Sequence, residues 1–282
     1  LTWVRPLSSR FCHLIFPNPG IAALLGADLG SAFVVKILSF DLSELVPLLL
    51  LVGATLFLKF ESRTVRHYGR IVLGLGFILL SLRMLGEATA PLRESAVAPQ
   101  VMAYLAGDPL TSFLAAAVLA WLLHSSVATL LLLVSFTSTG LLPVEAGLPM
   151  VLGANLGGGA IAAWLTRNAP LAARRIPLGN LVFRGVAALA VLGLLQVVPF
   201  DAAALGTRPA VQLVNFHVLF NILLLIVALP LVNAMARLTE QLLPEPQDIL
   251  NGAQAYRSAL DRSVIARPAL ALASAQRELL RM

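Results

Sequence analysis

Gly26-Ala27-Asp28-Leu29-Gly30 and Gly153-Ala154-Asn155-Leu156-Gly157 are two copies of one pentapeptide, 127 positions apart. Extended, the first reads GADLGSAFVVKIL over 26–38 and the second GANLGGGAIAAWL over 153–165. Gly, Ala, Leu and Gly match within the motif, and Leu38 falls on Leu165. Both copies lie in apolar sequence, where clustered glycines have two readings. They break a membrane helix and free its backbone, or they let two helices pack closely.

Around the motifs the composition settles the solvent. Hydrophobic residues make up 59% of the 282 positions and charged residues 12%, about half the charged share of a soluble domain. That much apolar surface calls for a bilayer. The net charge of +6 does not imply nucleic acid, because the cations fall in blocks between apolar runs, as topology signals do. Cys12 is the single cysteine, which excludes an intrachain disulfide and a cysteine metal cluster. The chain starts at Leu1 and shows no basic-apolar-small leader, so a fragment lacking its true N-terminus is expected.

Apolar runs cover 45–60, 71–85, 110–135, 147–165, 177–198 and 211–232. Lys59, Arg63, Arg66 and Arg70 occupy one connection, and Arg167, Arg174 and Arg175 another. Arg237, Arg257, Arg262, Arg267, Arg277 and Arg281 follow the last run. Segment 41–44 has no Lys or Arg, 86–109 has only Arg93, and 199–210 has only Arg208. The positive-inside rule therefore puts 59–70, 166–176 and the C-terminal tail in the cytoplasm, and the other three outside. The helix after the first glycine motif then ends outside and the helix after the second ends inside. Two apolar spans follow each, so the units run in opposite directions. The expected fold is all-α: a polytopic membrane protein with two inverted repeats containing broken or re-entrant helices, an architecture of secondary transporters.

His124-Ser125-Ser126-Val127-Ala128-Thr129 interrupts the apolar stretch 110–135. A break at His124 would present free amides and a positive helix end beside Ser125 and Ser126, which suits an oxyanion. Alternatively, the serines hydrogen-bond back inside a continuous helix. Lys36, Arg83 and Arg184 also interrupt apolar runs. Arg184 could neutralise an anion, pair with Asp28, or snorkel to the interface. His217 and Asn221 share a helix face, and hydrogen bonding between helices is the expected role.

Ser125-Ser126-x-Ala128-Thr129, the apolar stretch to Gly140-Leu141-Leu142, and Leu152-Gly153-Ala154-Asn155-Leu156-Gly157 together resemble the second repeat of sodium-dependent phosphate cotransporters. The run His217-Val218-Leu219-Phe220-Asn221 also resembles a late-helix motif of that family, and the likeness spans roughly 22–235. His124 stands where the family has Gln, Val127 where it has a third Ser, Gly158 where it has Thr, and Asp28 where it has Asn. Ser31 stands in for Thr. The 127-residue offset places the partner of Ser125 before Leu1. Ser8-Ser9 would serve only in a shorter first repeat, and Phe11-Cys12-His13 does not read like the family.

The resemblance implies phosphate contacts from Ser125, Ser126, Thr129, Ser31 and Arg184. It implies sodium binding by Asp28 and Asn155, with backbone oxygens freed at Gly26 and Gly153 and hinges at Gly30, Gly157 and Gly158. Sodium is then the coupling ion, with no other metal and no cofactor. The partners would be phosphate, sodium, lipid and a second copy in a homodimer, with no nucleic acid.

The expected organisation is a first repeat over 1–100, incomplete at its N-terminus, an inverted second repeat over 101–240, and a cytoplasmic amphipathic tail over 241–282. Ile249, Ala253, Tyr256, Leu260 and Val264 have helical apolar spacing. The stretch from Arg267-Pro268 to Arg277-Glu278-Leu279-Leu280 resembles the entrance of a PhoU-like domain; an interfacial anchor is the alternative. The expected function is sodium-coupled phosphate transport by alternating access, in a bacterial inner membrane with the C-terminus cytoplasmic. The alternative is a membrane phosphate sensor signalling through PhoU-like contacts. With one cysteine, four histidines and no nucleophile–base spacing, an enzyme is not expected.

Overall fold

The structure, a computed structural model, describes residues 19–40, 42–91 and 95–244. Ser8-Ser9, Phe11-Cys12-His13, Arg93 and the tail from 245 onward lie outside the described residues. The chain divides into two units, Leu1–Thr239 and Glu240–Met282, and the architecture below is that of the first. Among the described residues the regular elements are helical. They are α1 (Pro19–Leu38), α2 (Val46–Lys59), α3 (Arg63–Ala88), α4 (Ala98–Gly107), α5 (Pro109–Leu122), α6 (Ser126–Ser138), α7 (Val144–Leu165), α8 (Leu171–Val197) and α9 (Pro209–Leu242), with short 3-10 turns at Ser43–Leu45 and Ala202–Leu205.

Helices α1, α3, α7, α8 and α9 are long and apolar enough to cross a membrane. The pair α4–α5 qualifies when joined but bends by 113°. Helices α2 and α6 are apolar but shorter. Leu51, Ile71, Val186, Val197, Ile226 and Val227 point outward with most of their surface uncovered, which is stable only against lipid. The protein is a multi-pass, all-α membrane protein.

Helix α7 forms the centre. Its residues Ala146 to Asn155 are consecutively buried, so every face is covered, as expected for a helix that is apolar all round. Helix α5 runs parallel to it in close contact. A Cβ at Gly153 would run into the Phe113 carbonyl oxygen, and one at Gly157 would lie 2.5 Å from that of Ala117. Helix α8 runs antiparallel to α7, with Leu181 against Gly159 and Leu156 against Gly185. Helix α1 lies parallel to α8, with Gly20 against Ile176 and Ile21 against Gly179. The two motif helices, α1 and α7, therefore point in opposite senses. Helices α2 and α3 form a tight antiparallel hairpin in which Gly53 faces the Leu73 backbone and Gly69 the Phe57 backbone.

The apolar run 110–135, continuous by hydropathy, is a hairpin of two short helices. The chain turns at His124, whose φ is 51°, and Ser125 caps α6 by accepting from the Ala128 amide at 3.1 Å. Trp121, near the end of α5, meets Trp164 near the end of α7 with ring centroids 6.0 Å apart. Helix α6 then returns to Gly140 (φ 75°), four residues before α7 begins. The tip of this hairpin thus sits beside the carboxyl half of α7. At its entrance Asp108 caps α5, its Oδ1 accepting from the Leu110 and Thr111 amides, both at 3.1 Å.

One expectation is corrected. Neither glycine motif breaks its helix: Gly26 and Gly30 lie inside continuous α1, and Gly153, Gly157 and Gly158 inside continuous α7. No hinge occurs at Gly30, Gly157 or Gly158, and no backbone oxygen is freed at Gly26 or Gly153. A glycine keeps its amide and so sustains the helical ladder, whereas a proline removes a donor. The interior prolines are Pro149 in α7, Pro177 in α8 and Pro230 in α9. The glycines of α7 serve close packing instead, the other reading of the motif.

Candidate functional site

A connected polar cluster lies in the otherwise apolar bundle, with Arg184 of α8 at its centre. Its side chain is 4% exposed and its Nη1 is 2.5 Å from Asp28 Oδ1 of α1. Its Nη2 donates to Asn155 Oδ1 of α7 at 2.7 Å. Asn180, one turn before Arg184, donates to the other Asp28 oxygen at 2.9 Å. A charge taken out of water is tolerated only when paired and hydrogen-bonded, and the bifurcated guanidinium geometry supplies both.

Asn155 extends the cluster into α9. Its Nδ2 donates to the Val151 carbonyl at 2.8 Å and approaches His217 Nδ1 at 3.0 Å. Asn221 Nδ2 reaches the same His217 nitrogen at 3.2 Å and Asn155 Oδ1 at 3.3 Å. With amide donors aimed at it, Nδ1 is the acceptor, so the imidazole proton sits on Nε2. His217 and Asn221 thus serve the hydrogen bonding between helices expected of them. Among the described residues, Asn180 Oδ1, Arg184 Nε, His217 Nε2 and Asn221 Oδ1 are buried without a partner. Such atoms commonly mark water or ligand.

The tip of the α5–α6 hairpin brings the Ser126 hydroxyl to this cluster. From the point where a Cβ on Gly158 would sit, Ser126 Oγ is 3.0 Å away and Arg184 Nη2 3.6 Å. The bare backbone at Gly158 is what lets Ser126 approach the guanidinium. Ser126 and Val127 occupy the first turn of α6, where amides have no partner within the helix. Ser125 already uses its oxygen to cap that helix. The Ser126 hydroxyl, the first-turn amides of α6 and the Arg184 guanidinium thus converge beside Gly158, donor types that suit an oxyanion and make this the candidate cradle.

The other expected residues are placed differently. Thr129 is fully buried and its hydroxyl donates to the Ser125 carbonyl at 3.0 Å, which braces the hairpin tip. Ser31 donates to the Asp28 carbonyl at 2.7 Å, one turn away on α1. Arg83 lies on the surface of α3, paired with Glu87 at 3.0 Å. Asn180 is the residue that the sequence reading missed. Its signal was the four-residue spacing to Arg184, which stacks both on one face of α8.

The Na+/Pi-cotransporter family model matches residues 12–87 and 94–198. Escherichia coli K12 has a relative, YjbB, named for inorganic phosphate export, that is 36% identical over 269 residues, 95% of this chain and 49% of the relative. Its Salmonella typhimurium counterpart is 33% identical over the same length. YqeW of Bacillus subtilis, an uncharacterised protein, is 28% identical over 230 residues, 79% of this chain and 73% of YqeW. The chain spans about half the length of the YjbB proteins it matches. No solved structure matches. On the family match over most of its described length, and on the YjbB identity across nearly all of it, the chain belongs to the Na+/Pi-cotransporter family.

Proposed function

We propose that this chain forms the membrane part of a secondary transporter that moves inorganic phosphate coupled to sodium. It works by alternating access at a midplane site between two inverted repeats. It sits in a bacterial inner membrane with its C-terminus cytoplasmic, as a homodimer open to PhoU-like regulation through its tail. The convergence of Ser126 and Arg184 on Gly158 carries the reading. The opposite senses of α1 and α7 support the inversion, and the names of the YjbB relatives support phosphate as cargo.

In this reading phosphate takes the space beside Gly158. The Ser126 hydroxyl and the first-turn amides of α6 donate to it, while Ser125 and Thr129 hold that turn in place. Arg184 turns from Asp28 to the anion. Asp28 is left without its cation and takes up sodium with the oxygens of Asn155 and Asn180. Oxygen ligands from carboxylate and amide suit a hard cation, and the exchange of partners couples anion to cation. The chemistry is transport, with no covalent step.

The test is radiolabelled phosphate flux in vesicles holding the purified protein. Flux should require a sodium gradient and fall at least tenfold in Ser126→Ala, the loss of a charge-assisted hydrogen bond being worth about 1.5 kcal/mol or more. Flux indifferent to both would sink the proposal. Phosphate binding with no flux would favour the sensing role instead.

A further inference from the structure

A cavity of about 680 Å³ lies at the opposite end of α6 from the Ser126 cradle. It gathers the carboxyl ends of α1, α3 and α6 and the first turn of α9, with Arg83, Ser135, Thr137, Ser138 and Arg208 among its lining. Along α6, Thr137 is about 16 Å from Ser126, from the rise of a helix. The two spaces are therefore separate.

The charged residues of its lining are both cationic, Arg83 and Arg208. Arg208 has no side-chain partner among the described residues, and Arg83 spends only its Nε on Glu87. Glu87, outside the lining, thus offsets one of the two guanidiniums. Ala210 and Val211 of the α9 first turn line the wall, where helix amides are unpaired and the dipole is positive. The carboxyl ends of α1, α3 and α6 would repel an anion, and amides that follow each helix cap them: Ser39 bonds to the Val35 carbonyl and Thr89 to that of Leu85. The amides of Thr139, Gly140, Leu141 and Leu142 bond back to Ser135, Thr137 and Phe136. The decisive atom is Thr137 Oγ1. The residue is 4% exposed, and its hydroxyl has no hydrogen-bond partner, although a helical threonine ordinarily bonds to its own helix. A buried donor left free against a cationic cavity is a place for an acceptor.

We infer that this cavity is a second oxyanion site, binding a phosphate group through Thr137, Arg208, Arg83 and the amino end of α9. The charge pattern of the sequence puts the chain segments around it on the outer face, so it lies where phosphate leaves or enters the cradle. The choice of phosphate as ligand rests on the proposed function. The group could belong to inorganic phosphate or to a phospholipid headgroup, which share this chemistry.

The test is equilibrium binding of radiolabelled inorganic phosphate to the full chain in phosphatidylcholine nanodiscs. Two classes of site are expected. Arg208→Gln and Thr137→Val should each weaken one class about tenfold, and Arg208→Lys and Thr137→Ser should largely preserve it. Ser126→Ala should weaken only the other class. Isotherms of Arg208→Gln and Thr137→Val that superimpose on the parent overturn the inference and leave the cradle reading intact. The converse, with Ser126→Ala silent and Arg208→Gln effective, overturns the cradle reading alone. Adding phosphatidylglycerol distinguishes the sources: competition at the Arg208-dependent class assigns the cavity to a headgroup, and no competition assigns it to free phosphate.

Discussion

Asp28 and Asn155, equivalent positions of the repeated pentapeptide, are held by the same guanidinium: Arg184 grips the first through Nη1 and the second through Nη2. One residue of α8 therefore ties the two motif helices together. Because the guanidinium is buried and the Asp28 carboxylate largely covered, removing either charge leaves the other stranded, at about 3 kcal/mol. Arg184→Gln and Asp28→Asn should each lower the thermal unfolding midpoint in detergent. The double variant should recover much of the loss, so the double-mutant cycle should show strong coupling. Independent, additive effects would contradict the pairing.

Asn155 is more than an anchor for Arg184. Replacing it with Leu leaves Arg184 Nη2 without its partner, at about 1–3 kcal/mol for an unsatisfied buried group, and leaves His217 Nδ1 and Asn221 Nδ2 only each other and the His217 carbonyl. Asn155→Leu should destabilise more than His217→Leu does, as read by unfolding in the same detergent. An equal or smaller effect would place the hub elsewhere.

The glycine motifs look alike in sequence and should behave differently when filled. Among the described residues nothing approaches Gly26 or Gly30, whereas Gly153 and Gly157 touch the α5 backbone. Gly26→Ala should be neutral or stabilise by up to about 1 kcal/mol through helix propensity. Gly153→Ala should cost about 1–3 kcal/mol by overpacking, or prevent accumulation of the folded protein. Yield of monodisperse protein by size-exclusion chromatography checks both.

Orientation is open to chemical labelling. In a Cys12→Ser background, which removes the single cysteine, a membrane-impermeant maleimide should label Ala203→Cys in intact cells. Asn168→Cys should react only after permeabilisation. The reverse pattern would invert the proposed topology, and labelling of both in intact cells would refute the span between them.

The membrane class and most spans were legible because hydropathy and the placement of arginines act over whole segments and survive local ambiguity. The turn at His124 was half legible: consecutive polar residues in an apolar run must be satisfied somewhere, but a break and a continuous helix with back-bonded serines satisfy them equally. What the glycines do was not. A glycine in a helix has the same local sequence whether it bends or packs, and the deciding object, the Phe113 carbonyl, lies 40 positions away on another helix. Helix α3 begins at Arg63, well before the apolar run, because arginines are good helix formers and hydropathy does not register them. Asn180 escaped because an amide matters only when the carboxylate opposite it is known, and Asp28 stands 152 positions earlier.

The pairing of Asp28 with Arg184 also has an electrical side. One carboxylate and one guanidinium sum to zero, and the amides and the imidazole assigned around them add nothing. Under the proposed cycle, the empty centre therefore crosses the field of the bilayer as a neutral object. Membrane voltage, worth about 2.3 kcal/mol per charge per 100 mV, would bear only on the loaded step. Voltage jumps applied without phosphate and sodium should then draw no transient charge movement from the protein. A transient that disappears in Asp28→Asn would show that the pair separates even when nothing is bound.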